Sequence, residues 1–441
     1  MEVKAFVDRV LEAARAAGID PAEVSVSNET SFKTRVRKGA MEDYQVSDRA
    51  SLVLRGRVNG RIGTASTRAF DEESVGLLVR GVIESAGLIE TDEQDEILPP
   101  DERYGEVVNC RPELENVSAE EKIALAMEID RRIGSADPRV EPQHTVVAYA
   151  DATQTLRNTL GLDLVHRSNM VYAFTGALAR EGERAATGGK VLWGYDMKDV
   201  DAEAIAREAT EEALGKLHAG RMKSGSYPVV IRAGAMADLL STFCGVFSAD
   251  NAQKGLSLLS GREGEAIASP LVTLVDDPLM PWGMGSCPFD REGAATYKKN
   301  VIEGGVLTTL LHNRKTAKKA GVRTTGNAAG SGSVAPSNLY LQPGTATEEE
   351  LLCHMGDGLY LTEVSGLHAG ANPVSGDFSL LSCGFEVKDG KKVRAVEQFT
   401  VAGNFYQLLA DVLEVGDNLL FDGSPIGSPS VRVKALSVAG E

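Results

Sequence analysis

The sequence is poor in the residues that most metal and covalent chemistry uses. It has six histidines (His144, His166, His218, His312, His354 and His368) and five cysteines (Cys110, Cys244, Cys287, Cys353 and Cys383) in 441 residues. There is no CxxC pair and no His-Glu-x-x-His run. A catalytic zinc needs two or three close N, S or O ligands and an open position for water; neither spacing is met. No serine sits in a Gly-x-Ser-x-Gly elbow. The glycine-rich stretch 326–333 lacks the Gly-Lys-Ser/Thr that ends a phosphate loop. No apolar run approaches the roughly 20 residues that span a bilayer. Met1 to Lys4 lead into charge rather than an apolar leader.

Positive charge is also scarce. The chain carries 46 Lys and Arg against 63 Asp and Glu, a net charge of −17. The densest basic runs, Arg55–Arg61 and Lys315–Arg323, are short. Nucleic-acid binding needs a basic face that displaces counterions from phosphates. The balance therefore argues against direct nucleic-acid contact and for an acidic protein with solvated faces. An odd, widely spaced set of cysteines reads as reduced thiols in a cytoplasmic protein.

What is present points to mixed α and β structure. The chain is too long for one ordinary core, and its 46 glycines imply many tight turns. Val3, Phe6, Val7, Val10, Leu11 and Ala14 recur at helical spacing before Gly18. Short alternating runs follow at 24–26, 32–36, 52–58 and 62–67, the last two flanking Asn59-Gly60, a hairpin signal. Residues 71–86 read as a second helix and 88–117 as an acidic connection. Ser118 and Glu121 form a capping box opening a helix to about Ile133. Strands are predicted at 145–154, 162–168 and 171–179, then a helix at 200–218. Helices followed by strands, twice over, predict an α+β region of helices on antiparallel sheets.

The texture changes near Lys223–Ser226. We expect an N-terminal α+β domain over 1–225, with subregions 1–95 and 118–222, and a β-rich C-terminal domain over 226–441, a barrel-like or sandwich core enclosing a cleft. Its elements include a strand at 228–232, a helix at 234–248 inside, and hairpins at Glu303–Gly305 and Asp389-Gly390. There is no short-period repeat.

Few residues suggest chemistry by themselves. Adjacent helical residues point about 100° apart, so Cys353-His354 suits one ion poorly. Cys244 falls among Leu239, Leu240, Phe243 and Val246 and reads as inert core. Cys287, in the loop 285–288, reads as more exposed but has no activating His or Lys nearby in sequence. The stretch 326–333 reads either as a surface loop or as a loop bordering a cleft. The run from Asn372 to Ser379 is the densest turn signal.

Taken in order, these segments resemble the TldD/PmbA family, a family of zinc-peptidase subunits also described as modulators of DNA gyrase. The resemblance runs from Glu23–Val26, Val36–Gly39 and Gly60–Ser66 through Asn251–Gly255, Leu259–Gly264, Ser269-Pro270 and Val275–Asp277. It continues through Thr325–Asn327, Ser337–Tyr340, Pro343-Gly344, Ala371–Ser379 and Thr400–Asn404. The zinc-binding, TldD-type branch carries His-Glu-x-x-x-His and a later cysteine. Those ligands would fall at Leu240, Ser241 and Gly245, and near Glu414–Gly416. None of these residues can replace them, and Ser241 cannot serve as the general base. The form Asn-Pro-Val-Ser-Gly-Asp-Phe at 372–378 is similar to the PmbA branch.

The resemblance implies a non-catalytic partner of a TldD-type zinc subunit, or a homodimer, acting on small unfolded peptides held extended against a sheet edge. Zinc is expected in the partner and none in this chain. The cleft residues it implies are Ser241, Gly245, Asn327, Asn338, Asn372 and Asp377, with the 234–248 helix lining the cleft. Two other readings stand beside it. One is a stand-alone peptidase using unusual ligands or a nucleophile such as Cys287. The other is a regulatory protein that contacts DNA gyrase.

Overall fold

The computed structural model describes residues 2–89 and 96–441, so part of the predicted 88–117 connection lies outside the described residues. The first half builds one antiparallel six-stranded sheet from β1 (Ala22–Arg37), β2 (Ala40–Val58), β3 (Arg61–Thr67), β4 (Val140–Asn158), β5 (Asp163–Glu181) and β6 (Arg184–Gly194), in the order β3-β2-β1-β4-β5-β6. Helices α1 (Val3–Ala16), α2 (Glu72–Gly87), α3 (Ala119–Ala136) and α4 (Ala202–Lys216) pack on it.

The local signals explain these elements. Phe6, Val7, Val10 and Ala14 form the buried stripe of α1. Asp71 caps α2 by accepting from the Ser74 amide. In the capping box of α3 the Glu121 amide donates to Ser118 Oγ and the Ser118 amide to Glu121 Oε2. Asn59 and Gly60 both take positive φ, 50° and 82°, as the two-residue turn joining β2 to β3 requires.

Several boundaries differ from the sequence reading. The runs at 24–26 and 32–36 belong to the single strand β1. Val24 and Val26 pack under α1 and α2, Phe32 and Val36 in the core that holds α3, and the polar stretch 28–31 bridges the two cores. The runs at 162–168 and 171–179 likewise merge in β5, and β6 was not foreseen. The predicted helix at 234–248 ends early: α5 covers Ala233–Phe243, a 3₁₀ turn covers Cys244–Phe247, and α6 starts at Ala249.

The second half holds two further sheets. A five-stranded sheet runs β10 (Val306–Leu307), β9 (Lys299–Glu303), β8 (Leu274–Asp276), β11 (Leu339–Leu341), β16 (Ile426–Gly427). The other runs β14 (Lys391–Asn404), β13 (Asp377–Lys388), β12 (Gly358–Ser365), β7 (Gly225–Ile231), β17 (Val431–Ala439), β15 (Val412–Val415). Because Thr400–Ala402 of β14 also pairs with Ser437–Ala439 of β17, five of these strands close into a barrel. Helix α5 sits between β12 and β16 and buries Met236, Leu239, Leu240 and Phe243. Phe243 stacks on Phe405 with ring centroids 4.7 Å apart. The remaining helices, α6 (Ala249–Gln253), α7 (Arg314–Ala320), α8 (Glu348–Met355), α9 (Leu367–Gly370) and α10 (Phe405–Ala410), are short. Among the described residues, no helix is long and apolar enough to cross a membrane.

Candidate functional site

A cleft of about 730 Å³ opens between the first sheet and the barrel. One wall is formed by β5, β6 and α4, through Phe174, Lys190, Glu208, Glu212 and Lys216. The other comes from β12 and the start of α5, through Glu363, Arg232 and Asp238, with Asp422 from a later loop. The first wall is tight because Gly188 of β6 has no side chain: a Cβ there would strike the Ala209 carbonyl and the Ala213 amide of α4. A cleft of this size, with convergent polar groups, suits a ligand.

Its charges are partly matched. Lys190 meets Glu208 at 3.0 Å. Lys216 bridges Glu212 at 2.8 Å and Glu363 at 2.5 Å, tying α4 to the barrel. Burial alone would lower the Lys216 pKa, but its two carboxylate partners hold it up at about 12. Asp238 faces the cleft with its neighbours Asp422 and Glu363. Removal of water by the walls, then the charges of Asp422 and Glu363, push its pKa up to about 6. The Asp422 carboxylate lies over Gly234 in the first turn of α5, where the helix dipole favours negative charge.

The six residues expected in a cleft fall in three other places, and none lines this one. Ser241 is exposed on the last turn of α5, where its carbonyl accepts from the Cys244 thiol. The Gly245 carbonyl accepts from Asn251 Nδ2 at 2.8 Å. Asn327 is buried, accepting from Lys299 Nζ and donating to Asp276 Oδ2 and to the Ala335 carbonyl. Asn338 is also buried, donating to the Asp277 carbonyl and Ser286 Oγ and accepting from the Gly285 amide. Both amides are satisfied inside the fold and are not offered to a ligand. Asn372 and Asp377 shape the exposed turn before β13. Asn372 Oδ1 accepts from the Val374 and Ser375 amides. Hydrogen bonds from Asn404 and Ser375 hold the Asp377 carboxyl below its ordinary range. Helix α5 does line the cleft, but through Gly234, Ala235 and Asp238, one turn before Ser241.

Asp238, Glu363, Asp422 and Lys216 were missed by the sequence reading. Only Asp238 carried a local signal, as the one charged side chain of an otherwise apolar helix. The others meet it through tertiary structure.

The residues at the family's metal positions do not fit a zinc ion. Leu240 has no donor atom and is buried in the core, Gly245 has no side chain, and Ser241 offers only a hydroxyl. At the late-cysteine position, Glu414 is bound by His354 at 2.9 Å and by Arg432 at 3.0 Å. That ion-paired group lines a different hollow, of about 480 Å³, whose walls contain none of Leu240, Ser241 and Gly245.

Cys244 and Cys287 are not poised as nucleophiles. Burial raises Cys244 and Cys287 to about 11. Cys287 is thus more enclosed than its loop position suggested, packing beside Leu156, Leu162 and Phe289. Burial also lowers His312, away from the imidazolium, and His368 lies exposed on α9.

Three models of one family match successive segments: domain 1 of the PmbA/TldA metallopeptidases over 22–86, the central domain over 112–217 and the C-terminal domain over 224–440. A metalloprotease of Methanothermobacter thermautotrophicus is 28% identical, with 96% of each chain covered. Metalloprotease PmbA of Escherichia coli O157:H7 is 24% identical over 96% of this chain and 93% of its own. A protein of Thermotoga maritima described as a candidate modulator of a DNA gyrase has the same fold, with a TM-score of 0.93. It is 32% identical, covering 99% of this chain and 100% of that one. TldE of Thermococcus kodakarensis, at 21% identity, shares the fold with a TM-score of 0.90. The chain belongs to the PmbA/TldD metallopeptidase family.

Proposed function

We propose that this chain is the non-catalytic partner of a zinc-bearing TldD-type subunit, in a complex that degrades or matures small or unfolded peptides. The observation that carries this reading is the side chains at the metal positions. Leu240, Ser241 and Gly245 cannot make the His, Glu and His set, and Leu240 is part of the barrel core. A chain so built contributes shape and binding surface, not the Lewis acid that activates water.

The cleft supports a role in holding peptide. Its lining includes Gly189, which presents no side chain, and its walls carry charges of both signs. Asp238, Asp422 and Arg232 form no ion pair among the described residues and remain open to a ligand's charged groups. The five cysteines are free, in keeping with a reducing, cytoplasmic setting.

The test is peptide cleavage together with bound-zinc analysis, on the purified chain and on its mixture with a TldD-type subunit. The expected result is zinc and cleavage only in the mixture. Cleavage by the isolated chain would overturn the proposal and send the search for an active site back to Cys287, His312, His354 and His368.

A further inference from the structure

The charges of the cleft between the first sheet and the barrel do not cancel. Six carboxylates line it against three bases, Lys190, Lys216 and Arg232. Two of the bases are already engaged, Lys190 by Glu208, and Lys216 by Glu212 and Glu363. Besides Glu211 on the exposed side of α4, the charges left over gather about the start of α5. They are Arg232, Asp238 and Asp422, whose side chains make no ion pair or hydrogen bond among the described residues.

These three have a definite arrangement. Gly234 and Asp238 are four residues apart, so their positions are neighbours on one face of the helix. Asp422 reaches over the first of them: a Cβ built on Gly234 would stand 3.5 Å from Asp422 Oδ2. The two carboxylates therefore flank the bare stretch of helix that Gly234 leaves, and the charge of Asp422 is felt at Asp238. Like charges one turn apart cost stability, and nothing within the chain offsets this pair. Arg232, two residues before Gly234, brings the opposite need, with N–H donors and no acceptor. The end of the cleft thus asks for a cation and an acceptor side by side. A metal ion does not meet that need, because among the described residues no three His, Cys, Asp or Glu side chains converge as its ligands must. A lysine side chain supplies an ammonium on a bare stem and leaves Arg232 unused. The amino terminus of a peptide supplies both, an ammonium and, in the same residue, a carbonyl oxygen.

Resting on the reading of this cleft as a place that holds peptide, we propose that it takes the amino-terminal residue, with the α-ammonium between Asp238 and Asp422 and the first carbonyl on Arg232. The ligand class is a short peptide with a free amino terminus. A blocked terminus or an internal segment is refused, since it leaves the two carboxylates unpaired. Because Asp238 holds a proton up to about pH 6, affinity falls as pH drops through that value.

The experiment is isothermal titration calorimetry of the full chain at about pH 8. The probes are the peptide Ala-Leu-Ser-Gly-Leu amide, the same peptide N-acetylated, and an N-acetylated copy with lysine in place of the serine. The free peptide is expected to bind, and acetylation to weaken it about tenfold or more, as loss of a charge-assisted contact should. Lysine should not restore it. Asp238→Asn and Asp422→Asn should each weaken the free peptide about tenfold and leave the acetylated one unchanged. Arg232→Gln should weaken the free peptide severalfold. Melts of the same variants separate lost binding from lost folding, and Asp238→Asn is expected to melt higher than the wild type at this pH. Equal binding of the free and acetylated peptides overturns the proposal. So does no binding of the free peptide, or binding indifferent to both aspartate variants. Recovery by lysine overturns the amino terminus as the source of the ammonium. Zinc and cleavage in the mixture with a TldD-type subunit report on the partner role separately from this binding.

Discussion

Lys299 and Asp276 face each other at 3.0 Å where β9 runs beside β8, both almost wholly removed from water. Asn327 completes the contact, with its oxygen on the ammonium and its amide on the carboxylate. The Ser337 amide donates to the other carboxylate oxygen. A buried pair of this kind adds little net stability when intact, but removing one partner strands the other. Lys299→Met is therefore expected to destabilise the protein by about 3–5 kcal/mol, read from urea denaturation. Combining it with Asp276→Leu should cost less than the two single effects together, since no buried charge is then left alone.

Asp238 sets a pH dependence. With a folded pKa of about 6 against an ordinary 3.8, the folded protein keeps this proton after the unfolded chain has released it. The resulting stability is complete below about pH 4 and lost as pH rises through 6. Asp238→Asn is expected to stabilise the protein at pH 8 by about 1 kcal/mol, a figure reduced because the carboxyl faces solvent in the cleft. At pH 4 the difference should vanish. Melts of both proteins at the two pH values check this; equal offsets at both would refute it.

The thiols should react in the order of their exposure. Cys353 is exposed, whereas Cys244 and Cys287 are raised to about 11 by burial and carry almost no thiolate at pH 8. Iodoacetamide on the native protein, followed by peptide mass analysis, should mark Cys353 first and Cys287 slowly. Fast labelling of Cys287 would restore it as a nucleophile candidate.

Gly188 keeps β6 against α4. Gly188→Ala must push the helix away from the sheet, at a cost of about 1–3 kcal/mol, and α4 carries Glu208, Glu212 and Lys216 into the cleft. A melting shift with unchanged far-ultraviolet dichroism is expected. An unshifted melt would mean that the helix does not rest on this strand.

The sequence announced elements whose ends are chemical events. The capping box at Ser118, the Asn59-Gly60 turn and the Asx turn at Asn372 each satisfy their own backbone, so local reading found them. It broke β1 because the strand passes from one helical core to another across the polar stretch 28–31, and β5 because the strand passes from a small cluster around Phe289 into the core that holds α3 and α4. Asn327 and Asn338 were expected in the cleft because of the family resemblance alone. What decides their role, the buried Asp276, Lys299 and Ser286, lies some 30 to 50 residues away. The cleft was illegible for the same reason: Asp238, Glu363 and Asp422 meet only after the barrel has closed.

That closure orders the birth of the second half. Strand β7 pairs with β12 on one side and β17 on the other, so both of its neighbours leave the ribosome after it, the second roughly 200 residues later. Contacts of such sequence separation make folding slow. Until β17 arrives, β7 and α5 are apolar segments without a home, exposed to misassembly. The nascent chain must then be shielded for as long as those residues take to be made, and damage to β17 should show as aggregation during synthesis before it shows as loss of activity.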